Sequence, residues 1–580
     1  CRISPAAADI PLAKEPFKTL LPLAVKIGGF PRHMATHPCG LVVSPEPITG
    51  IVPLQRGDRG LEIMQWSMYE VEGAGLVKID IIGQKGLAVI EEAAEMAEEN
   101  KGRPLHPERI DALSDERTKR LLREGRTEGC FYIESPVMIQ LMQQAGCDDF
   151  EVLTALSSII RPGVSNYGGK RSYLRRHLGL EAASAIHPVV EGVLKDTYGC
   201  LIYQEQVIRI AVAVAGMSYS EADGLRRCMS FKNRNRESMA TYRDSFMTGA
   251  LRRGIPEDTA KEIFRRIASF AGYAFCKAHS ASFALESFES AYWKAHYPAE
   301  FMAAVLPNGG GYYSQEEYLE EARRLGLEIL PPCVNRSRLR HHGRGRELRI
   351  GLSQVKGLTG ETAEAILKER PFRSLAEFLE RTHASTGETE NLIRCGAMRD
   401  FVRSRPELLW ELKALRGGDS GTAKTSTGSC ASRTVTAHGT SEAVDTPGPI
   451  TVIKQIPRLR DYGRAKSVAL ERETLGLCVT AHPLSMFEEE IERATANRTI
   501  TRSVDLARRV GQRVELLGWR VTVKGTRTMD KGEEMIFATF SDSFGRYEAI
   551  FFPDTYRRTA RTLFKAKGPF LIQGRVESDR

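Results

Sequence analysis

Apolar residues are spaced along this chain in three successive patterns, and each pattern predicts a different kind of structure. Over about the first 100 residues, short Val- and Ile-rich runs alternate with Pro and Gly, as is typical of short strands and turns. From about residue 101 to 330 the spacing is mainly helical, for example in EQVIRIAVAVAG. From Gln512 onward, VELLGWRVTV, EMIFATFSDS and YEAIFFP predict short antiparallel strands, with DKGE as a hairpin turn.

The segment GLVKIDIIGQKGLAVI places two charged residues inside an otherwise apolar strand pattern. Because successive strand residues point to opposite faces, Val77, Ile79 and Ile81 share one face of this predicted buried strand. Lys78 and Asp80 share the other face, near the carboxyl end of the strand and before a turn that leads into a helix. Strand ends of this kind often carry sites. On these residues alone, a half-exposed edge strand with a local ion pair also remains open.

Length and composition exclude several classes of protein. With 580 residues, of which 42% are hydrophobic and 27% are charged, the chain is long enough for several globular domains. No apolar run approaches the ~20 residues of a membrane helix, and the N-terminus has no signal-peptide pattern. We therefore predict a cytoplasmic protein with no membrane contact. Because the chain begins at Cys1 and ends within a strand pattern, we expect a fragment of a longer protein.

Cysteine spacing and net charge constrain the chemistry only weakly. The 11 cysteines include no C-x-x-C pair, which predicts reduced thiols rather than a zinc site or a disulfide framework. The formal net charge of +9 permits a polyanionic partner without requiring one.

The Lys78 and Asp80 pair fits one kind of chemistry better than others. In phosphoryl transfer, carboxylates hold Mg²⁺ while a lysine meets a phosphate. A two-metal site needs at least two carboxylates, and no D-x-D in a strand context stands upstream of Asp80. If Asp80 belongs to such a site, we expect its other ligands before Cys1.

Seven motifs occur along the chain in a fixed order, and together they resemble one protein family. They are FPRHMATHPCGLVVSP, GLVKIDIIGQKGLAVI, FYIESPVMIQLM, TYGCLIYQEQVIRIA, EADGLRRCMS, FAGYAFCKAHSASFAL and KAHYPAEFMAAVL. In these motifs the chain resembles the bacterial C-family DNA polymerases, which comprise the alpha subunit of DNA polymerase III and its error-prone relatives. The resemblance covers nearly the whole chain from Phe30 onward, and it leaves the replicative or error-prone subtype open.

The resemblance, combined with composition, implies a multidomain α+β architecture. It implies that the N-terminal PHP domain and the first part of the palm are absent from these residues. The Gly-, Ser- and Thr-rich stretch after about residue 414 is predicted to be a flexible linker, because it has too few large apolar residues to fold. The expected segments are the C-terminal part of a polymerase palm with a mixed sheet (1–100), mainly helical fingers (101–335), a helix-hairpin-helix duplex-binding region (336–414), the linker (415–450), a connecting helical segment (451–511) and an incomplete OB-fold β-barrel (512–580).

The same resemblance implies a reaction and its central residues. Asp80 matches one of three catalytic palm aspartates and would bind Mg²⁺, and Lys78 matches a palm lysine that faces the triphosphate. The parent protein would extend a primer 3′ hydroxyl on deoxynucleoside triphosphates (dNTPs) by two-metal phosphoryl transfer. We expect these 580 residues alone to be inactive, because two metal ligands would lie outside them.

Two arginines and a following basic run come next in the motif order. Arg226 and Arg227 in LRRCM match a finger-helix pair that faces the incoming nucleotide, although helix-surface arginines are usually only solvated. Lys232 and Arg234 are predicted to contact the DNA backbone or to lie on a solvated face.

The FAGYAFCKAHS motif supplies further nucleotide-binding candidates. Lys277 and His279 follow a turn at a helix start, where exposed backbone N–H groups suit an anion. The resemblance places nucleotide-binding residues here.

Arg32 and His37 match a palm motif, and His37 either lines the active site or caps the turn before the GLVV strand, which is predicted to be buried.

A further region is predicted to contact duplex DNA. The segment GLSQVKGLTGETAEAIL resembles a helix-hairpin-helix, in which Lys356, Gly357 and Gly360 would grip duplex phosphates through backbone amides and charge. Thr359 stands where a second close glycine is common, which weakens this expectation.

The terminal β segment resembles an OB-fold and carries three aromatic residues of interest. Trp519, Phe537 and Phe540 either stack single-stranded bases or fill the barrel core, and the core is favoured for a barrel of this size. Phe537 would lie inside if Ile536 lies outside.

The expected partners are primer-template DNA, dNTPs and, from a faint signal in KQIPRLRDY, a sliding clamp and other replisome subunits. A competing interpretation is a non-catalytic DNA-binding module of a replication or repair assembly, because helix-hairpin-helix and OB units occur there too. An upstream D-x-D pair would distinguish the two.

Overall fold

A computed structural model describes most of the chain and divides it into two compact units. The first unit contains the described residues of 1–85, 523–538 and 549–567, and the second contains those of 86–522, 539–548 and 568–580. The described ranges are 11–30, 32, 36–57, 60–105, 109–160, 169–183, 186–230, 236–270, 276–309, 311–416, 456–528 and 530–578. Most of the predicted linker (415–450) lies outside these ranges.

The N-terminal part of the first unit contains the short strands that the sequence predicts, together with two helices that it does not predict. The elements are α1 (Phe17–Ile27), β1 (Gly40–Val43), β2 (Leu54–Arg56), β3 (Glu62–Met64), α2 (Met68–Gly73) and β4 (Val77–Asp80). Strand β4 pairs antiparallel with β1, and β3 pairs antiparallel with β2.

The prediction that β1 and β4 are buried strands is wrong. Leu41 is 56% exposed on β1, and Val77 and Ile79 are 58% and 47% exposed on β4. The two strands form a two-stranded sheet of their own, so among the described residues no further strand pairs with either of them. The alternation along β4 nevertheless holds, because Lys78 and Asp80 share one face.

Helices dominate the second unit, in agreement with the helical spacing from about residue 101 onward. Their starts follow local sequence signals, since the side chains of Asp115, Ser135 and Asp149 each accept a hydrogen bond from a first-turn amide. The helices are α3 (Lys85–Lys101), α4 (Glu116–Glu124), α5 (Pro136–Ala145), α6 (Phe150–Ile159), α7 (Gly169–His177), α8 (Pro188–Leu194), α9 (Gln204–Ala215), α10 (Tyr219–Ser230), α11 (Arg236–Arg252), α12 (Glu257–Phe270), α13 (Lys277–His296), α14 (Pro298–Asn308) and α15 (Gln315–Arg324).

The core of this unit is organised around the long helix α13. Phe288 and Trp293 on α13 and Phe301 on α14 are at most 2% exposed, and α13 packs against α4 and α6. Burying one large apolar side chain contributes about 1.5–3 kcal/mol, so this packing fixes the positions of α4, α6 and α13 relative to one another.

The basic segment SRLRHHGRGRELRIG has a composition that predicts a loop, and this prediction is wrong, because the segment forms two short strands. Strands β5 (Glu328–Leu330), β6 (His342–Arg344) and β7 (Glu347–Arg349) form a sheet in the order β5-β7-β6. β7 pairs parallel with β5 and antiparallel with β6. The strand pattern is hard to recognise in the sequence because charged residues surround the few apolar ones. Leu348, at the centre of the hairpin, is buried.

A set of short helices follows this sheet and includes the predicted helix-hairpin-helix segment. The predicted helical segment near ALERETLGL is present as α20. The helices are α16 (Gly360–Glu369), α17 (Leu375–Thr382), α18 (Thr386–Arg394), α19 (Arg405–Arg416), α20 (Arg464–Leu475) and α21 (Glu488–Thr495).

The C-terminal strands form a four-stranded sheet in the order β10-β9-β8-β11, and β11 pairs antiparallel with β8. The predicted strands are present, and the turn between β8 and β9 falls at the predicted DKGE. Helix α22 was not predicted. The elements are β8 (Arg513–Arg527), β9 (Glu534–Ser541), β10 (Arg546–Phe551), α22 (Pro553–Lys565) and β11 (Phe570–Arg575).

The aromatic residues of this sheet are mainly core residues. Trp519 and Phe540 are 4% and 0% exposed, in agreement with the favoured interpretation. Ile536 is buried and Phe537 is only half-buried, the reverse of the arrangement that would place Phe537 inside. Strand alternation predicts that Ile536 and Phe537 lie on opposite faces of the sheet, but it does not predict which of the two faces is covered by the core.

Two further observations concern the cysteines and the helices. The described cysteines are free thiols, and most of them are buried. No helix in the described ranges combines the length and apolar character needed to cross a membrane.

Candidate functional site

The Lys78 and Asp80 side chains meet on one face of β4, as the alternation predicts. The Lys78 Nζ lies 2.5 Å from Asp80 Oδ1 and 2.7 Å from Oδ2, so the ammonium contacts both carboxylate oxygens. The hydrogen bond from Lys78 lowers the pKa of Asp80, which keeps the carboxylate ionised. A cation and an anion therefore stand together on a solvent-accessible strand face.

Strand pairing brings two further side chains to Asp80. Gly40 on β1 lies opposite Asp80 on β4, and the turn before β1 carries His37 and Cys39. His37 Nδ1 lies 3.9 Å from Asp80 Oδ1, and Cys39 Sγ lies 4.0 Å from the same oxygen. Cys39 was not a candidate from the sequence, because only the register of β1 against β4 places it there.

His37 has the turn-capping role that was one of its two predicted roles. Its Nδ1 accepts a hydrogen bond from the Gly40 amide at 2.6 Å and lies 3.3 Å from the Cys39 amide. This role does not exclude contact with a ligand through the other ring nitrogen. Arg32, the second palm-motif candidate, is exposed.

The donor set around Asp80 allows a test of metal chemistry. The ligand atoms of His37, Cys39 and Asp80 lie within 4.8 Å of one another. An ionised carboxylate is a suitable ligand for Mg²⁺, whereas imidazole and thiolate are softer ligands that favour ions such as Zn²⁺. Asp80 therefore fits Mg²⁺, and His37 and Cys39 do not add to that fit. An ion at Asp80 would have to compete with Lys78 for the carboxylate oxygens.

In the second unit, both predicted finger arginines are held by one aspartate on the same helix. Arg226 Nε lies 2.8 Å from Asp223 Oδ1, and Arg227 Nη2 lies 2.7 Å from Asp223 Oδ2. The hydrogen bond from Arg226 lowers the pKa of Asp223. Arg227 is exposed, and Arg226 is partly buried and also donates to Gln204 Oε1 at 3.2 Å.

Lys277 is tied to the same region through the start of α9. Its backbone N–H donates to both carboxylate oxygens of Glu205, at 3.1 and 3.0 Å. Its Nζ lies 3.1 Å from Glu151 Oε2 and 5.6 Å from the centroid of the Tyr203 ring. Gln204 contacts Arg226, and its neighbour Glu205 contacts Lys277. Arg226 and Lys277 therefore both lie beside the start of α9.

This arrangement changes the expectation for the helix start at Lys277. The sequence predicts an anion at its free amides, and in the structure a carboxylate of the protein itself, Glu205, receives the Lys277 amide. From the sequence alone, Glu205 in YQEQ is expected mainly as a structural residue of the fingers. His279 lies two residues further along α13, is exposed, and contacts Phe283 with a ring-centroid distance of 4.3 Å.

Several predicted residues cannot be placed. Lys232 and Arg234 lie outside the described residues. The Gln of KQIPRLRDY, Gln455, also lies outside them.

The predicted helix-hairpin-helix turn is present, and most of its amides already have protein acceptors. The Lys356 amide donates to Thr474 O at 2.9 Å, and the Thr359 amide donates to Glu388 Oε1 at 2.9 Å. Gly357 adopts φ +75°, a conformation that glycine favours, and its amide has no protein acceptor among the described residues. Gly360 is the first residue of α16, directly after the capping Thr359.

Comparisons with known proteins connect these two clusters to one class of protein. Sequence models of three families match the chain: the bacterial DNA polymerase III alpha NTPase domain at residues 3–83, the bacterial DNA polymerase III alpha subunit finger domain at 86–254, and the helix-hairpin-helix motif at 326–408. The first match contains Lys78 and Asp80, and the second contains Arg226 and Arg227.

Individual relatives agree with this class. The chain is 34% identical to the DNA polymerase III subunit alpha of Thermus aquaticus, over 97% of this chain and 45% of the relative. It is 31% identical to the DNA polymerase III subunit alpha of Escherichia coli K12, over 99% and 50%, and 31% identical to the error-prone DNA polymerase of Symbiobacterium thermophilum, over 97% and 54%.

The chain belongs to the family of bacterial DNA polymerase III alpha subunits and error-prone DNA polymerases, which confirms the resemblance seen in the motifs. It spans about half the length of the curated relatives it matches.

Proposed function

We propose that the protein carrying these residues is a DNA-directed DNA polymerase, a nucleotidyltransferase that adds deoxynucleotides from dNTPs to a primer 3′ hydroxyl. The observation that carries this proposal is the Lys78–Asp80 pair, which lies on one strand face inside the segment matched by the DNA polymerase III alpha NTPase domain. Phosphoryl transfer depends mainly on positioning and on stabilising negative charge, and both need cations and carboxylates close together.

Asp80 and Lys78 have separate tasks in this proposal. Asp80 is the protein ligand that would hold Mg²⁺, and that ion supplies charge neutralisation at the reacting phosphate. With Asp80 holding the ion, the Lys78 ammonium, which contacts both carboxylate oxygens of Asp80, would be free to donate to an oxygen of the triphosphate. The i, i+2 spacing allows both to face one substrate.

The second-unit cluster would stabilise the triphosphate. We assign nucleotide binding to Arg226, Arg227, Lys277 and His279. The guanidinium groups exchange Asp223 for phosphate oxygens, and Lys277 exchanges Glu151 in the same way. Before substrate arrives, the ion pairs with Asp223 keep both arginines ordered, which reduces the conformational entropy lost on binding.

We assign the remaining regions to DNA. Lys356, Gly357 and Gly360 would contact duplex phosphates, with the free Gly357 amide as the main backbone donor. Lys232 and Arg234 would contact the DNA backbone. The strands of 1–100 would form part of a palm, and the four-stranded sheet would belong to an OB-fold. A sliding clamp and replisome partners, and a cytoplasmic location, follow from the same assignment.

Primer extension by the full-length protein tests the proposal. Asp80→Ala should lower single-nucleotide incorporation by on the order of 10³-fold or more, about 4 kcal/mol, because a metal ligand is lost. Primer-template affinity, measured by fluorescence anisotropy, should stay within about twofold. Glu62→Gln, which changes another acidic residue of the same unit, is the control and should retain incorporation. Unchanged incorporation in Asp80→Ala would favour the non-catalytic DNA-binding module.

A further inference from the structure

A cleft with basic walls lies between α4 and the C-terminal end of α13, in the second unit. Its volume is about 300 Å³. It is lined by Arg117, Arg120, Leu121, Arg126, Lys294, Ala295, Pro298 and Leu325. Four of these residues are basic and none is acidic, although α4 and its surroundings contain many carboxylates.

Two of the basic groups are already neutralised. Lys294 is 1% exposed, and its Nζ donates to Arg126 O, Glu128 O and Glu321 Oε1 at 2.7–2.8 Å, which uses its three protons. Arg126 Nε lies 2.8 Å from Glu124 Oε2. These two residues shape the cleft but offer little unbalanced charge.

Arg117 and Arg120 are different. Both are exposed, and neither has a carboxylate or hydrogen-bond partner among the described residues. They are three positions apart on α4, so the two guanidinium groups share one helix face, where like charges repel. The nearby carboxylates are engaged elsewhere, because Glu116 pairs with Lys119 and Asp115 accepts from His296.

Basic groups continue on both sides of the cleft. The Arg346 guanidinium lies against Gly326, next to the lining residue Leu325. Lys101 Nζ lies 6.0 Å from the centroid of the Tyr297 ring, next to the lining residue Pro298. A single small anion would not use charges spread this widely, whereas a chain of phosphates would.

We propose that this cleft binds a phosphate of a single nucleic-acid strand between Arg117 and Arg120. A guanidinium group donates two parallel hydrogen bonds to phosphate oxygens. The apolar lining residues Leu121, Pro298 and Leu325 offer a surface for the attached sugar or base. The site lies near the opposite end of α13 from Lys277, roughly 25 Å away along the helix axis at 1.5 Å per residue. It does not depend on the catalytic role proposed for Asp80.

Binding of fluorescein-labelled oligo(dT) to the full-length protein, measured by anisotropy over a range of salt concentrations, tests the proposal. The test variant is Arg117→Gln/Arg120→Gln. The matched control is Lys119→Gln/Arg123→Gln, which removes the same charge from α4 at residues that are paired with Glu116 and Asp148.

Loss of both guanidinium groups that hold this phosphate should lower the salt-dependence slope by about 0.7 and weaken binding about fourfold near 0.15 M salt. The control should stay within about twofold of the parent protein. Because Arg117 and Arg120 are exposed, the circular dichroism and melting of the test variant should be unaffected.

Three results would overturn the proposal. The first is an unchanged affinity and slope in the test variant. The second is an equal loss in the control, which would indicate only general charge. The third concerns inorganic pyrophosphate, measured by calorimetry. If the test variant loses pyrophosphate binding but keeps oligonucleotide binding, the cleft takes a free polyphosphate and not a strand.

Discussion

Glu388 at the start of α18 holds the helix-hairpin-helix turn in place, and its removal should have a large local effect. Its carboxylate accepts hydrogen bonds from the amide and hydroxyl of Thr359, at 2.9 and 2.8 Å. It also accepts from the amide and hydroxyl of Ser385, at 2.9 and 2.7 Å. The side chain is 7% exposed. A single charged group therefore joins the hairpin to α18.

The energy of this arrangement follows from the acidity of Glu388. Burial by itself would raise the pKa of the carboxyl, but the hydrogen bonds from Thr359 and Ser385 outweigh burial and lower the pKa from 4.5 to about 2. This change corresponds to about 3 kcal/mol in favour of the folded, ionised form. The stabilisation is fully present above about pH 4.5 and is lost as the pH falls toward 2.

Glu388→Gln keeps the shape and removes the charge. The amide then presents its NH₂ group to either the Thr359 donors or the Ser385 donors, so one pair loses its acceptor. We expect about 3 kcal/mol of local destabilisation at neutral pH, which is roughly a 100-fold increase in opening. Hydrogen exchange of the Thr359 and Ser385 amides, followed by mass spectrometry, measures this opening directly.

Glu390→Gln is a matched control on the same helix, since Glu390 is only half-buried and makes no hydrogen bond or ion pair with described residues. Its exchange should equal that of the parent protein. An increase below about threefold for Glu388→Gln would refute the argument, because it would mean that the four hydrogen bonds contribute less than about 1 kcal/mol. An equal increase in both variants would refute it as well.

Two further predictions concern stability. Lys294→Met should destabilise the folded state by about 3–5 kcal/mol in urea unfolding, because it leaves the buried carboxylate of Glu321 without its 2.7 Å ion pair. Lys119→Met, at a more exposed residue, is the control. A loss below about 1 kcal/mol in Lys294→Met would contradict the prediction. Burial lowers the pKa of His482 from 6.5 to about 4, so the unfolded chain binds the proton first and stability should fall as the pH drops from about 6.5 to 4. Urea unfolding at pH 7 and pH 5 should show a smaller loss for His482→Gln than for the parent protein, and equal losses would contradict the assignment.

The sequence by itself determined those features that depend on neighbours along the chain. Alternation placed Lys78 and Asp80 on one strand face, helical spacing identified α9, and the turn before Lys277 located the start of α13. Ordered motifs were enough to identify the family, because each motif keeps its residues together in sequence. The Gly357 turn was also visible, since only glycine adopts its φ readily.

The tertiary structure decided what meets across long separations. It brought Cys39 to Asp80, Glu205 to the Lys277 amide and Glu388 to Thr359, and none of these pairs has a signal in local spacing. It also decided that Ile536 and not Phe537 is covered, and that Arg117 and Arg120 share a cleft without a carboxylate. The physical reason is that periodicity fixes only the relative direction of side chains within one element, whereas burial and charge pairing depend on which other element packs against it.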